Sequence, residues 1–318
     1  MGKQNTMKVV VTGGAGFIGS HLIKKLIDKD FTVVVIDNLI TGKLENIKRY
    51  IESGKVTFVE QDVQDFIEIE GDVDIVAHLA SIASPKAYSE HPVNTLKSGS
   101  LGTINSLGLA KAKGAKYLLA STSEVYGNPL ISPQNESYWG NVNPVGPRSM
   151  YDESKRFAEA SAVTYMNEFG LDVKIARIFN TYGTGMQIND GRVVTNFVYQ
   201  ALNSQDITIY GDGTQTRSLS YVSDTVEYLF RLMSSEFQGV MNIGNPDEIQ
   251  IIDLAKKIIQ KTDSTSEIRF FELPQDDPEQ RKPDTTLAIK ELEYEPAVSL
   301  DDGLSMLINW VRERIDSE

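Results

Sequence analysis

Residues 8–19 read KVVVTGGAGFIG, and the fold follows from them. Lys8-Val9-Val10-Val11 is a short β-branched run of the kind found in buried strands. Thr12-Gly13-Gly14 ends it. Apolar residues then recur with helical spacing, at Ile18, Leu22 and Leu26 and again at Ile23 and Ile27. Thr32-Val33-Val34-Val35-Ile36 predicts a second buried strand, closed by Asp37-Asn38. Strand, glycine turn, helix, strand makes a βαβ unit.

The glycines of that turn, Gly13, Gly16 and Gly19, recur every third residue. The first permits the tight turn, the second lets a diphosphate approach the backbone, and the third lets helix and strand pack closely. The helix that opens at Phe17 and Ile18 offers free N–H groups and a partial positive charge to phosphate. No Gly-Lys-Ser/Thr follows, so this is not a P-loop. Asp37, 18 residues after Gly19, can accept hydrogen bonds from ribose hydroxyls and would repel a 2′-phosphate. NAD is therefore expected rather than NADP. Asn38, Thr41 and Gly42, in the loop beyond Asp37, join the expected cofactor set. Asp62 and Val63 after a third strand, and Leu79, Ala80 and Ser81 after a fourth, lie at strand carboxyl ends, where such sheets bind ligands.

The alternation continues. Strands are predicted at Val56–Val59, Val73–Leu79, Tyr117–Ala120 and Val173–Ile178, with a long helix over Ser89–Lys113. The expected fold is α/β: a Rossmann-type doubly wound parallel sheet with a smaller C-terminal substrate-binding α/β region. Residues 1–180 are assigned to the NAD-binding domain, with later segments returning to it, and 181–318 mainly to substrate. In the second part loops lengthen and strands such as Ile207–Tyr210 are short. The stretch Asp263–Pro283 is polar and proline-punctuated, and a last amphipathic helix covers Leu300–Ile315.

Composition narrows the function. The 318 residues carry a net charge of −13, which disfavours a nucleic-acid partner. With no cysteine there is no disulfide or thiolate metal site, which fits the cytoplasm. The histidines His21, His78 and His91 lack metal-ligand spacing. No apolar run reaches the ~18 residues of a membrane span, so no membrane association is expected.

Tyr151-Asp152-Glu153-Ser154-Lys155 places a tyrosine and a lysine on one helical face. A lysine cation beneath a phenol favours phenolate, and so would lower the tyrosine pKa. Alone, this spacing says little. Ser121-Thr122-Ser123-Glu124, after the fifth strand, adds a hydroxyl and a free carboxylate at the same edge.

The glycine turn together with this pair resembles the extended short-chain dehydrogenase/reductase family of nucleotide-sugar enzymes. Nearly the whole chain shares the resemblance. The stretches 121–128 (STSEVYGN), 138–156 (YWGNVNPVGPRSMYDESKR), 176–182 (ARIFNTY), 189–197 (NDGRVVTNF), 210–224 (YGDGTQTRSLSYVSD), 242–246 (NIGNP) and 275–284 (QDDPEQRKPD) look most like the UDP-glucuronate decarboxylases within it. The resemblance implies that Tyr151 is the acid/base at the sugar C4 hydroxyl. It implies that Lys155 lowers the Tyr151 pKa and holds the nicotinamide ribose, while Thr122 orients the C4 oxygen. Asn180, Arg217 and Arg281 are expected at the sugar diphosphate and sugar, and Arg192, Tyr210 and Gln215 on the nucleotide side. It also implies a homodimer built on a four-helix bundle from about Ser89–Lys113 and Tyr151–Phe169.

Three chemistries share oxidation at C4. Decarboxylation of UDP-glucuronate to UDP-xylose uses an acid/base near C5, for which Glu124 is the candidate, with Arg281 assisting at the carboxyl end. A 4,6-dehydratase pattern reads Thr-Asp-Glu, and here Ser123 takes the middle place. A UDP-sugar 4-epimerase needs only Thr122, Tyr151 and Lys155, and is the alternative. Three departures bear on the choice. Thr184-Gly185 replaces Pro-Arg, implying a missing cation near the sugar edge; Ile82 and Lys86 replace prolines; and Ser154 stands where glycine is common.

Overall fold

The computed structural model describes residues 6–188, 190–273, 278 and 280–316. In chain order the first half contains β1 (Lys8–Thr12), α1 (Phe17–Asp28), β2 (Thr32–Asp37), α2 (Lys48–Glu52), β3 (Val56–Glu60), β4 (Ile75–His78), α3 (Pro85–Glu90), α4 (Pro92–Lys97), α5 (Thr103–Lys113), β5 (Lys116–Thr122), α6 (Ser149–Phe169) and β6 (Val173–Ile178).

These six strands and a seventh, Gly239–Ile243, form one sheet in the order β3-β2-β1-β4-β5-β6-(239–243). Every pairing in it is parallel. The order reverses between β1 and β4, which opens a crevice at the strand carboxyl ends. The pleat sends alternate residues to opposite faces. Val9, Val11, Val33 and Val35 enter one core, and Val10, Val34 and Ile36 the other. A sheet buried on both faces explains why these strands read as unbroken apolar runs. The α1 residues Leu22, Ile23, Leu26 and Ile27 are all buried, as their spacing requires. The seventh strand comes from beyond residue 180.

The long helix expected over Ser89–Lys113 is corrected. α3 ends at Glu90, and α4 restarts with Pro92 in its first turn. Proline lacks the N–H that a continuing helix would need. A π-turn at Ser98–Gly102 then joins α4 to α5. It brings Gly99 against α6, where a Cβ at Gly99 would lie 2.6 Å from both Cβ and Oγ of Ser154. The serine at a common glycine position is thus matched by a glycine across the interface.

The C-terminal region is less irregular than its composition suggests. Ile268–Phe271, inside the polar stretch 263–283, pairs in parallel with Ile207–Tyr210. Residues 189, 274–277 and 279 lie outside those described, so the stretches 189–197 and 275–284 are only partly described. Thr216–Ser218 is flanked by Glu248–Gln250 and Gln280–Arg281, and Arg217 and Arg281 are register partners. Two arginines far apart in sequence are thereby set side by side. The last helix is Leu300–Ile315, with the Ser299 hydroxyl accepting from the Asp302 N–H at 3.1 Å.

Candidate active site

A cleft of about 1570 Å³ lies along the carboxyl ends of the strands. Pockets for one drug-sized ligand hold ~300–1,000 Å³, so this cleft has room for two such ligands. All the residues expected at catalysis, cofactor or substrate line it except Asp62. Asp62 sits behind the wall, where its Oδ2 accepts from Asn38 Nδ2 at 2.8 Å and its Oδ1 from the Gln64 N–H at 2.9 Å.

One half of the cleft is the glycine turn. Gly13 has φ +71°, and a Cβ there would lie 2.6 Å from Ala80 N. At Gly19 a Cβ would meet Gly13 O at 2.3 Å, whereas at Gly16 it would meet only that oxygen, at 3.2 Å. The turn is therefore closed by its outer glycines and open at the middle one, against the N-terminus of α1. Such a turn can cradle a phosphate. Asp37 is buried beside it, its Oδ2 accepting from Ala15 N–H and its Oδ1 from Leu39 N–H, both at 2.9 Å. Burial raises its pKa, and those two hydrogen bonds oppose the rise. Each oxygen keeps a lone pair for a ribose hydroxyl. His78 underlies the adjoining wall. Its Nδ1 is 2.8 Å from Thr12 Oγ1, which also accepts from Ala80 N–H at 3.3 Å.

The other half holds the candidate reactive groups. Thr122 ends β5, and its Oγ1 accepts from Glu124 N–H at 3.3 Å, starting the short turn that carries Glu124. Tyr151 and Lys155 face the same space from α6. Lys155 Nζ donates to Ala120 O at 2.8 Å and lies 5.9 Å from the Tyr151 ring centre. Two of its three N–H donors remain for a ligand. α6 is pinned to the sheet one turn further on. There Glu159 accepts from Ser121 Oγ at 2.5 Å and from Arg177 Nε at 3.0 Å and Nη2 at 2.7 Å.

The pKa expectation for Tyr151 is reversed. Burial pushes its phenol up, the Glu124 charge adds to this, and a hydrogen bond with Thr122 only partly opposes them. The charge that weighs most on the phenol is thus an anion, while the lysine is engaged with Ala120 O. Burial also brings Lys155 down to about 8, against the pull of Glu159.

Glu124 is not free. Arg281 donates from both terminal nitrogens to its two carboxylate oxygens, and Arg148 donates to Oε2 as well. Burial alone would raise the carboxyl, but Arg281 and Arg148 hold it below the usual range. Arg217 stands beside this group through its register with Arg281. Arg192 is paired with the buried Asp190, its Nε donating at 2.8 Å.

Two residues beside Tyr151 and Glu124 were missed. Arg148 lies three positions before Tyr151, where a basic residue entering a helix gives no distinctive signal. Tyr88 of α3 stacks on Tyr151 at 5.4 Å between ring centres and 14° between planes. It comes from a segment whose helix was misplaced. Ile82, one of the replaced prolines, packs into the same cluster.

The Thr184-Gly185 departure lies against α1. Gly185 has φ +84°, and a Cβ there would face His21 Nε2 and Phe17, on α1. That position belongs to the glycine-turn half of the cleft. The half around Glu124 already has Arg148, Arg217 and Arg281. Among the described residues no acid or histidine cluster could hold a metal ion, and no helix is long and apolar enough to cross a membrane.

The chain is similar to known proteins. The sequence profile of the NAD dependent epimerase/dehydratase family matches residues 9–244. UDP-glucuronic acid decarboxylase 2 of Arabidopsis thaliana is 50% identical over 313 residues, covering 98% of this chain and 70% of that protein. UDP-glucuronic acid decarboxylase 1 of Xenopus tropicalis is 46% identical over 318 residues, covering 100% and 75%. Among solved structures, the Bacillus cereus UDP-glucuronic acid 4-epimerase bound to UDP-glucuronic acid and NAD superposes with a TM-score of 0.85 at 27% identity. It covers 97% of this chain and 100% of that one.

Proposed function

The chain belongs to the NAD dependent epimerase/dehydratase family, and we propose that within it the protein converts UDP-glucuronate to UDP-xylose and carbon dioxide through a 4-keto sugar. The observation that carries this reading is the Glu124–Arg281–Arg148 cluster beside Tyr151. A 4-epimerase has no use for a carboxylate clamped by two arginines at this edge.

The glycine cradle and Asp37 fit NAD, with Asp37 disfavouring a 2′-phosphate. When bound, NAD supplies a reversible hydride acceptor facing the sugar C4. The chain's residues do the rest. Tyr151 takes the C4 hydroxyl proton, helped by Thr122, which orients that oxygen. Lys155, cationic below its pKa of about 8, holds the nicotinamide ribose and lowers the cost of the phenolate.

Oxidation at C4 makes the C6 carboxylate a β-keto acid. The C5–C6 bond breaks, carbon dioxide leaves, and the bonding pair becomes the C4–C5 enolate. Arg281 and Arg148 balance the negative charge that moves across this edge. Glu124, after taking up a proton from solvent, gives it to C5, forming the new C–H bond and returning to its carboxylate. Tyr151 returns its proton to the C4 oxygen as hydride comes back to C4.

Arg217 and Asn180 face the sugar diphosphate in this reading, and Arg192, Tyr210 and Gln215 the uridine end. We also propose a homodimer in the cytoplasm. Val93, Leu96, Leu101, Ile104, Phe157 and Phe169 are exposed on the α4–α6 face, which supports helix-to-helix association. A monomer by light scattering at micromolar concentration counts against the dimer. Incubation with a panel of UDP-sugars tests the chemistry. UDP-xylose from UDP-glucuronate supports it, and interconversion of UDP-glucose with UDP-galactose without decarboxylation favours the epimerase.

A further inference from the structure

Asp152 follows Tyr151 on α6, is 7% exposed and does not line the cleft. Its Oδ2 stands 3.9 Å from Arg148 Nε, while its Oδ1 is buried with no hydrogen-bond partner. Arg148 turns its far end to Glu124. One guanidinium therefore sits between two carboxylates, one in the cleft and one behind it. A buried carboxylate oxygen with no donor is costly when charged, and protonation relieves that cost.

We propose that Asp152 is a positioning residue, whose carboxyl sets how firmly Arg148 holds Glu124 and so how readily Glu124 exchanges its proton. This rests on the decarboxylase reading above. With Asp152 neutral, Arg148 is not shared with that carboxylate, and Glu124 is held as a carboxylate with little affinity for a proton. With Asp152 ionised, Arg148 is shared and a second negative charge stands nearby. Glu124 then takes up a proton more readily, and with it the ability to deliver one to C5.

The surroundings agree. Burial first, then the Glu124 charge, pushes Asp152 up to about 7, with Arg148 and Arg281 opposing and Glu153 adding a smaller push. Tyr88 on α3 and Tyr151 on α6 are the phenols that feel its charge, and in the unliganded protein both stay neutral in this range because burial raises them.

The test is a ¹³C NMR titration of aspartate carboxyls in the unliganded protein, with a pH profile of carbon dioxide release on the same samples. One aspartate should titrate near 7, vanish in Asp152→Asn, and move down by roughly one pH unit or more in Glu124→Gln. In turnover, Asp152→Asn should lose the rise of kcat through neutrality while KM changes less. Asp152→Glu should keep a rise with a displaced midpoint, and it serves as the second variant should the asparagine protein fail to fold. An Asp152 carboxyl already ionised well below neutrality, or a midpoint unmoved by Glu124→Gln, overturns the proposal. Normal turnover with an unchanged Asp152→Asn profile overturns this inference alone. No turnover of UDP-glucuronate by the unaltered protein overturns the functional reading with it.

Discussion

Glu124 and Arg281, 157 residues apart in sequence, meet as a two-pronged pair in which each carboxylate oxygen receives one N–H of the same guanidinium. The pair is nearly buried, so it couples the turn after β5 to the C-terminal region across the cleft. A planar fork is needed for this geometry, and an ammonium cannot reproduce it.

Arg281→Ala leaves Glu124 with Arg148 as its remaining partner. Breaking a buried pair from one side costs about 3–5 kcal/mol, and the second arginine should keep the loss near the lower figure. Urea unfolding of Arg281→Ala and of Arg281→Ala with Glu124→Gln measures it. The double variant should recover part of the loss, and no recovery would mean that the stranded carboxylate is not the cause.

Glu124→Gln keeps the shape of the side chain and removes its proton chemistry. Decarboxylation should fall by about 10²- to 10⁴-fold, the usual worth of a positioned acid/base. Oxidation at C4 should persist, seen as reduced-nicotinamide absorbance in a single turnover. Loss of that absorbance as well would place Glu124 in binding instead.

Tyr151→Phe should abolish turnover of any UDP-sugar. In the unaltered protein, activity should decline above about pH 8 as Lys155 loses its proton. Lys155→Arg, which stays charged, should remove that decline even where it slows the reaction. A decline of the same midpoint in the arginine variant would assign it to another group.

Gly99→Ala should destabilise the fold by about 1–3 kcal/mol, because the new methyl would overlap Ser154. Ser154→Gly in the same protein should restore much of that. Thermal melts of the two single variants and the pair give the coupling directly.

His78 is buried and brought from its ordinary 6.5 to about 3, first by burial and then by the Lys155 charge. The unfolded chain therefore binds the extra proton between those values, so stability is full above 6.5 and lost as pH falls towards 3. The contribution is on the order of a few kcal/mol. His78→Gln should flatten this part of the stability curve, and an unchanged slope would exclude His78 as its source.

Much of this was open to reading in the sequence. The first βαβ unit is local: strand, turn, helix and acid lie within residues 8–37, and short-range periodicity carries them. Tyr151 and Lys155 were readable for the same reason. What depends on long-range geometry was not. Arg148 and Tyr88 enter the site because α3 and the start of α6 converge on it. The Glu124 carboxylate looks free in sequence and is clamped in space. The shift of Tyr151 was misjudged in sign because spacing reports who can be near, whereas burial decides which charge state costs more. That Gly185 faces α1 was not readable either, because a position in a motif does not reveal which helix it faces.

The most direct test follows the sixth carbon. UDP-glucuronate labelled with ¹³C at C6 is incubated with the protein and NAD and watched by NMR. The label should leave as carbon dioxide and bicarbonate in step with the appearance of UDP-xylose. Label kept in a UDP-hexuronate, with only the configuration at C4 changed, would contradict the account and make the protein an epimerase.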